Sequence, residues 1–169
     1  MVDRAGMGLT GAAALCAAVS LSATAPAAAQ ATDAVMTAAA LQAAVAAPID
    51  GRASRNFWTG PGYVVQASLR MKPGEVEIHE VTADLFIVQE GRAEVLLGGA
   101  VAGNRVTGPN EKRGGQISGG HVRSLGPGDT LWIPASEPHQ VRPIDGAFRY
   151  LVVKIDTKTL AAAAGAAPP

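Results

Sequence analysis

Pro73-Gly74-Glu75-Val76-Glu77-Ile78-His79-Glu80-Val81-Thr82-Ala83-Asp84-Leu85-Phe86-Ile87-Val88-Gln89-Glu90-Gly91 is the stretch that decides how this chain is read. Glu77 and His79 stand two apart, and strand side chains repeat every second residue, so on a strand both point to one face. Val76, Ile78 and Val81 lie between and around them, which reads as strand rather than loop. Asp84 then opens a second apolar run, Leu85-Phe86-Ile87-Val88, that Gly91 ends. A second stretch answers the first. Gly126-Pro127-Gly128-Asp129 is a turn and Thr130-Leu131-Trp132-Ile133 a strand. Pro134-Ala135-Ser136-Glu137-Pro138 is a second turn, which puts His139 at the head of the next strand. A fold that brings the two stretches together makes Glu77, His79, Asp84 and His139 converge.

These stretches resemble the two motifs of the cupin superfamily. The first family motif is Gly, five residues, His-x-His, three or four residues, Glu, six residues, Gly. Counted back from Gly91, Asp84 falls in the Glu place, His79 in the second His place and Glu77 in the first. Met71 stands where the leading Gly belongs, although the Pro73-Gly74 turn is near. The second motif is Gly, five residues, Pro-x-Gly, two residues, His, three residues, Asn. Gly128, Pro134 and His139 fit it, while Ser136 replaces the Gly and Pro143 the Asn. The resemblance covers roughly residues 57–155 and implies an all-β fold, a single double-sheet jelly-roll β-barrel. It also implies a metal site at Glu77, His79, Asp84 and His139, two of whose four ligand places are changed.

The chemistry of those residues can be argued on its own terms. Two imidazoles and a carboxylate suit Fe, Mn, Ni or Zn as divalent ions, with Asp84 as a fourth ligand or as a partner holding a His ring. Two close carboxylates in an apolar barrel repel, so at least one is expected to protonate unless a cation sits between them. The opposing reading makes His79 a hydrogen-bonded barrel histidine and turns Glu77 to solvent beside Arg70 or Lys72. Outside this set, His121 follows Gly119-Gly120 and reads as an exposed loop residue. Phe86 and Trp132 read as core or pocket wall. Glu111 and Arg113 read as a solvated loop that can close over the pocket. No spaced Ser/His/Asp set and no phosphate-cradling glycine loop stands out.

Around the motifs the pattern is short strands broken by turns: 63–71, 76–80, 84–89, 93–97, 122–125, 130–133, 139–142 and 148–155. The Gly-rich stretch 98–120 is long for a hairpin connection and is expected to carry an extra hairpin or a lid. Ahead of the barrel, the Ala-rich run 32–47 reads as one helix, capped by Thr32 or Asp33 and stopped by Pro48. Residues 49–56 read as a polar linker, so that 30–56 is helix and linker and 57–156 the barrel. The tail 157–169 is Ala/Gly/Pro-rich at its end and reads as disordered.

Residues 1–29 have a basic start at Arg4, a short apolar run from Met7 to Leu21 and the small residues Ala27-Ala28-Ala29 before Gln30. That is the pattern of a secretory signal peptide cleaved after Ala29, which implies an exported protein, periplasmic or extracellular. Cleavage removes Cys16 and leaves no thiol ligand and no stable membrane insertion. What remains, roughly 140 residues, is enough for one core. Fourteen basic and 14 acidic residues balance, and the absence of a basic run argues against nucleic acid as a partner. Three functions fit these observations. One is a metal-dependent small-molecule enzyme of oxygenase, isomerase or lyase type. The second is a metal-free small-molecule-binding cupin outside the cytoplasm. The third is a structural module, with the Ala-rich helix in a homodimer interface.

Overall fold

The computed structural model describes residues 34–165. The expected signal peptide and its cleavage site lie outside these residues, as do Thr32 and Asp33. The chain opens with helix α1 (Ala38–Ala44), followed by β1 (Arg52–Gly60), β2 (Tyr63–Arg70), β3 (Glu77–His79), β4 (Thr82–Glu90) and β5 (Ala93–Leu97). Next come β6 (Ala100–Ala102), β7 (Arg105–Gly108), β8 (Glu111–Arg113), β9 (Gln116–Ser118) and β10 (His121–Leu125). β11 (Thr130–Ile133), β12 (His139–Pro143), β13 (Phe148–Asp156) and helix α2 (Thr157–Gly165) complete it.

Eleven of the strands form two facing antiparallel sheets, and β6 and β9 form a small third one. One has five strands in the order β1-β2-β13-β4-β11; the other has six, β10-β5-β12-β3-β8-β7. This is the expected all-β double-sheet jelly roll. Alternation explains the core. Phe86 and Val88 of β4, Phe148, Tyr150 and Val152 of β13, Val95 and Leu97 of β5, and Val141 of β12 meet between the sheets in one buried cluster. Burying each large side chain contributes about 1.5–3 kcal/mol, so this cluster supplies the main driving force. Among the described residues, the buried carboxylate and imidazole side chains are Asp84, His79 and His139, which lie together.

Four expectations are corrected. The barrel begins at Arg52, not at residue 57: residues 52–56 pair with β2, with Arg52 opposite Arg70 and Ala53 opposite Leu69. Polar residues read as linker because β1 is an edge strand whose outward positions are wetted. The helix is shorter than 32–47. Thr37 caps it, its side chain accepting from the Ala40 amide at 3.1 Å, and residues 34–37 are not helical. Its Leu41 and Val45 pack with Ala67 and Leu69, so α1 covers the outer face of the five-stranded sheet. Thr157–Gly165 is helix rather than disordered tail, because Asp156 accepts from the Lys158 and Thr159 amides and starts it. Trp132 is half exposed on the outer face of edge strand β11, not core or pocket wall, whereas Phe86 is buried as expected.

The Gly-rich stretch holds two nested hairpins. β6 pairs with β9, and inside them β7 pairs with β8, which joins the six-stranded sheet beside β3. The expected extra hairpin is therefore part of the barrel wall.

Candidate metal centre

The centre is built from cross-strand pairs. His139 on β12 stands opposite Glu77 on β3, and β3 also faces β8, with Glu77 opposite Arg113 and His79 opposite Glu111. From the other sheet, Asp84 on β4 stands opposite Lys154 on β13. Directly opposed strand residues lie within side-chain reach, so register alone assembles the group. Glu77 and His79 share the inward face, as the two-residue spacing requires.

Two turns fix these strands, Gly91 at the end of β4 away from Asp84 and Ser136 at the end that carries the centre. Gly91 ends β4 at φ 77°, and a Cβ there would lie 2.0 Å from the Ala147 carbonyl oxygen, so only glycine fits. Ser136, in the family's glycine place, adopts φ 68°. It is tied down by its amide, which donates to the His79 carbonyl at 2.8 Å, and by its hydroxyl, which donates to the Glu80 carbonyl at 3.0 Å. The turn before His139 is thereby fastened to the strand that carries His79.

Glu77, His79 and His139 each offer one donor atom, and the three atoms lie within 4.8 Å of one another. Both histidines are buried. Nδ1 of His79 lies 2.7–2.8 Å from the Glu111 carboxylate, and Nδ1 of His139 lies 3.1 Å from the Glu137 carbonyl. An oxygen acceptor on Nδ1 puts the proton there and leaves the Nε2 lone pair for the cavity. His139 thus has the arrangement that a metal requires, and His79 has it when its ring is neutral, with Lys154 then 3.2 Å from its Nε2. For His139 burial lowers the pKa, which favours the neutral ring. For His79 burial also opposes charge, but the hydrogen bond with Asp84 and the carboxylates of Asp84 and Glu111 outweigh it and raise the pKa. His79 is therefore the ring for which a metal must compete with a proton.

The carboxylates do not repel as expected, because each has its own cation. Glu77 Oε1 accepts from Arg70 at 2.8 Å and Arg113 at 2.6 Å. Burial alone would raise its pKa, but the two guanidinium groups hold it below the ordinary value. Oε2 of Glu77 stays on the histidine side, 3.6 Å from His79 Nε2. Asp84 is also buried, and its hydrogen bond with His79 and the charge of Lys154 hold its pKa low. Lys154 Nζ donates to both Asp84 oxygens, at 3.1 and 3.0 Å, and lies 3.2 Å from His79 Nε2. The four sequence-chosen residues therefore come together, but in two roles. Glu77, His79 and His139 form the tight donor group, while Asp84 stands 3.4 Å from His79 Nε2 and 3.8 Å from His139 Nε2, already bound to Lys154.

Sequence reading missed Lys154, whose place depends on the register of β13 with β4. It also put Glu111 and Arg113 in a loop, whereas β8 carries both into the site. His121 is exposed at the start of β10 and does not line the cavity. That cavity, about 160 Å³, opens beside the donor group and is lined by Arg52, Arg70, Arg113, Tyr150 and Lys154 as well as the acidic residues.

Comparison with known proteins supports the fold. A family model described as an AraC-like ligand binding domain matches residues 116–168, less than half of the chain. No curated protein matches the chain. Among solved structures, it is similar to an uncharacterised conserved protein with a double-stranded β-helix domain from Klebsiella pneumoniae. The TM-score is 0.55 at 15% identity, covering 76% of this chain and 94% of that one. A conserved protein of unknown function from Streptococcus pyogenes gives a TM-score of 0.51 at 17% identity, covering 74% and 89%. A Thermus thermophilus protein gives 0.50 at 18%, covering 69% and 93%.

Proposed function

From a chain that has the cupin fold, we propose an exported protein that binds one divalent metal ion through Glu77, His79 and His139 and acts on a small organic molecule in the adjoining cavity. One observation carries the metal reading: both imidazoles have Nδ1 on an oxygen acceptor, so their Nε2 lone pairs converge beside the Glu77 carboxylate. Two imidazoles with one carboxylate suit Fe, Mn, Ni or Zn. Such an ion supplies Lewis-acid polarisation of a bound oxygen or, for iron, redox chemistry. The chain's own residues supply the rest. Glu111 orients His79, Phe86 walls the cavity, and Arg52, which also lines it, favours a molecule with an anionic group such as a carboxylate, since Arg70 and Arg113 are already paired with Glu77. Arg52 makes no ion pair among the described residues, so its guanidinium is available to such a group. Export rests on residues 1–29 and is tested by the N-terminal mass of the secreted protein. Reaction with an oxygenase, isomerase or lyase outcome is the class this centre suits.

A second reading has its own observation. Lys154, Arg70 and Arg113 already neutralise Asp84 and Glu77, so the pocket is charge-balanced without metal and can serve a binding protein. Metal analysis of protein purified without chelator separates the two. About one ion per chain supports the centre, and none supports the binding module.

A further inference from the structure

Lys154 stands where a metal's charge would act. Its ammonium holds both oxygens of Asp84 and reaches the Nε2 of His79, the nitrogen that faces the other donors. The side chain is 26% exposed while Asp84 is 2% exposed, so the ion pair forms a wall of the cavity rather than a feature of the surface. A cation on His79 Nε2 must take the place of the Lys154 N–H there. It also meets a positive charge in poor solvent, where repulsion between charges a few ångströms apart is felt strongly.

Building on the metal reading above, we propose that Lys154 is a resident counter-cation that sets both the affinity and the selectivity of the centre. It does so in two ways. It withholds the carboxylate of Asp84, leaving two imidazoles and one carboxylate. It also sets a threshold that an incoming ion must exceed. Hard ions such as Mn(II) depend most on carboxylate oxygens and lose most by this. Zn(II), which binds imidazole well, loses less. The identity of the residue at position 154 therefore decides whether the site is a selective two-histidine, one-carboxylate centre or a more acidic and permissive one.

The test is calorimetric titration of Zn(II) and of Mn(II) into the metal-free protein, comparing wild type, Lys154→Met and Lys154→Met/Asp84→Asn. Lys154→Met is expected to bind Mn(II) at least about tenfold more tightly than wild type, with a smaller gain for Zn(II). Adding Asp84→Asn is expected to remove most of the Mn(II) gain, the part that comes from the released carboxylate, and to leave the smaller part that comes from relieved repulsion; an undiminished gain would overturn the withheld-carboxylate role. Lys154→Gln keeps an N–H for Asp84 without the charge, carries the same expectation, and replaces Lys154→Met if that variant does not fold. If wild type binds Zn(II) and neither Lys154 variant binds Mn(II) more tightly, the proposal is overturned and the metal reading stands. If a Lys154 variant binds metal and wild type does not, the proposal stands and the native protein belongs to the metal-free reading. Binding by no variant overturns both.

Discussion

Glu111 meets His79 at Nδ1, with Arg113 3.9 Å from its carboxylate, and it decides which nitrogen of that ring carries the proton. Glu111→Gln is expected to weaken Zn(II) binding by about 10–100-fold, the usual cost of losing such an orienting partner. Titration calorimetry reads this directly; an unchanged affinity would mean that the ring is held by packing alone. Acid should also weaken binding, since protons compete for the imidazoles. His79 is the ring with the raised pKa and His139 the one with the lowered pKa, so NMR of the metal-free protein should show His79 taking up its proton at the higher pH. The residue scale is also where sequence reading was most complete. Glu77 and His79 were placed on one face by spacing alone, and His139 by the turn before it. Lys154 was illegible because nothing local marks it: it sits in an apolar strand as a snorkelling lysine would, and only pairing with Asp84 reveals its role.

At the scale of elements, the turns and the caps carry the account. Gly91→Ala puts a Cβ against the Ala147 carbonyl at a positive φ, and should cost at least about 2 kcal/mol in denaturant unfolding. Near-wild-type stability would show that β4 and β13 can part there without loss. Helix α2 depends on Asp156, whose carboxylate accepts from the Thr159 and Lys158 amides and is held below its ordinary pKa by those bonds. A lowered folded-state pKa means that the cap's contribution is present above about pH 4 and is lost as the pH falls through the folded value. Amide exchange at Lys158 and Thr159 should therefore speed up in Asp156→Ala. The same amides should report fraying of wild type on acidification, relative to the β13 amides. This helix and β1 were the elements that sequence reading lost. β1 is built from mostly polar residues of weak strand preference, whereas α2 is rich in alanine, a strong helix former, and reads as tail because of the glycine that ends it and the prolines that follow. β1 is specified by pairing with β2, and α2 by a cap that reads as an ordinary strand-end aspartate.

Across the whole molecule, the two sheets hold the two halves of the centre: Glu77, His79, His139 and Glu111 on one, Asp84 and Lys154 on the other. Fold and candidate ligands were legible because alternation and motif spacing act along the chain. The neutralising network of Arg70, Arg113 and Lys154 was not, because it exists only between strands brought together by the closed barrel. That network removes carboxylate repulsion as a reason for metal and leaves the converging Nε2 atoms as the reason that stands. An ion bound only by the folded chain stabilises it by about 2.7 kcal/mol at a hundredfold excess over its dissociation constant. The most direct measurement is thus the melting temperature of metal-free wild type and His139→Ala, each with and without Zn, Ni, Mn or Fe as divalent ions. A metal-dependent rise is expected in wild type with at least one of these ions and is expected to vanish in His139→Ala. Equal melting of both proteins with and without every ion would contradict the centre.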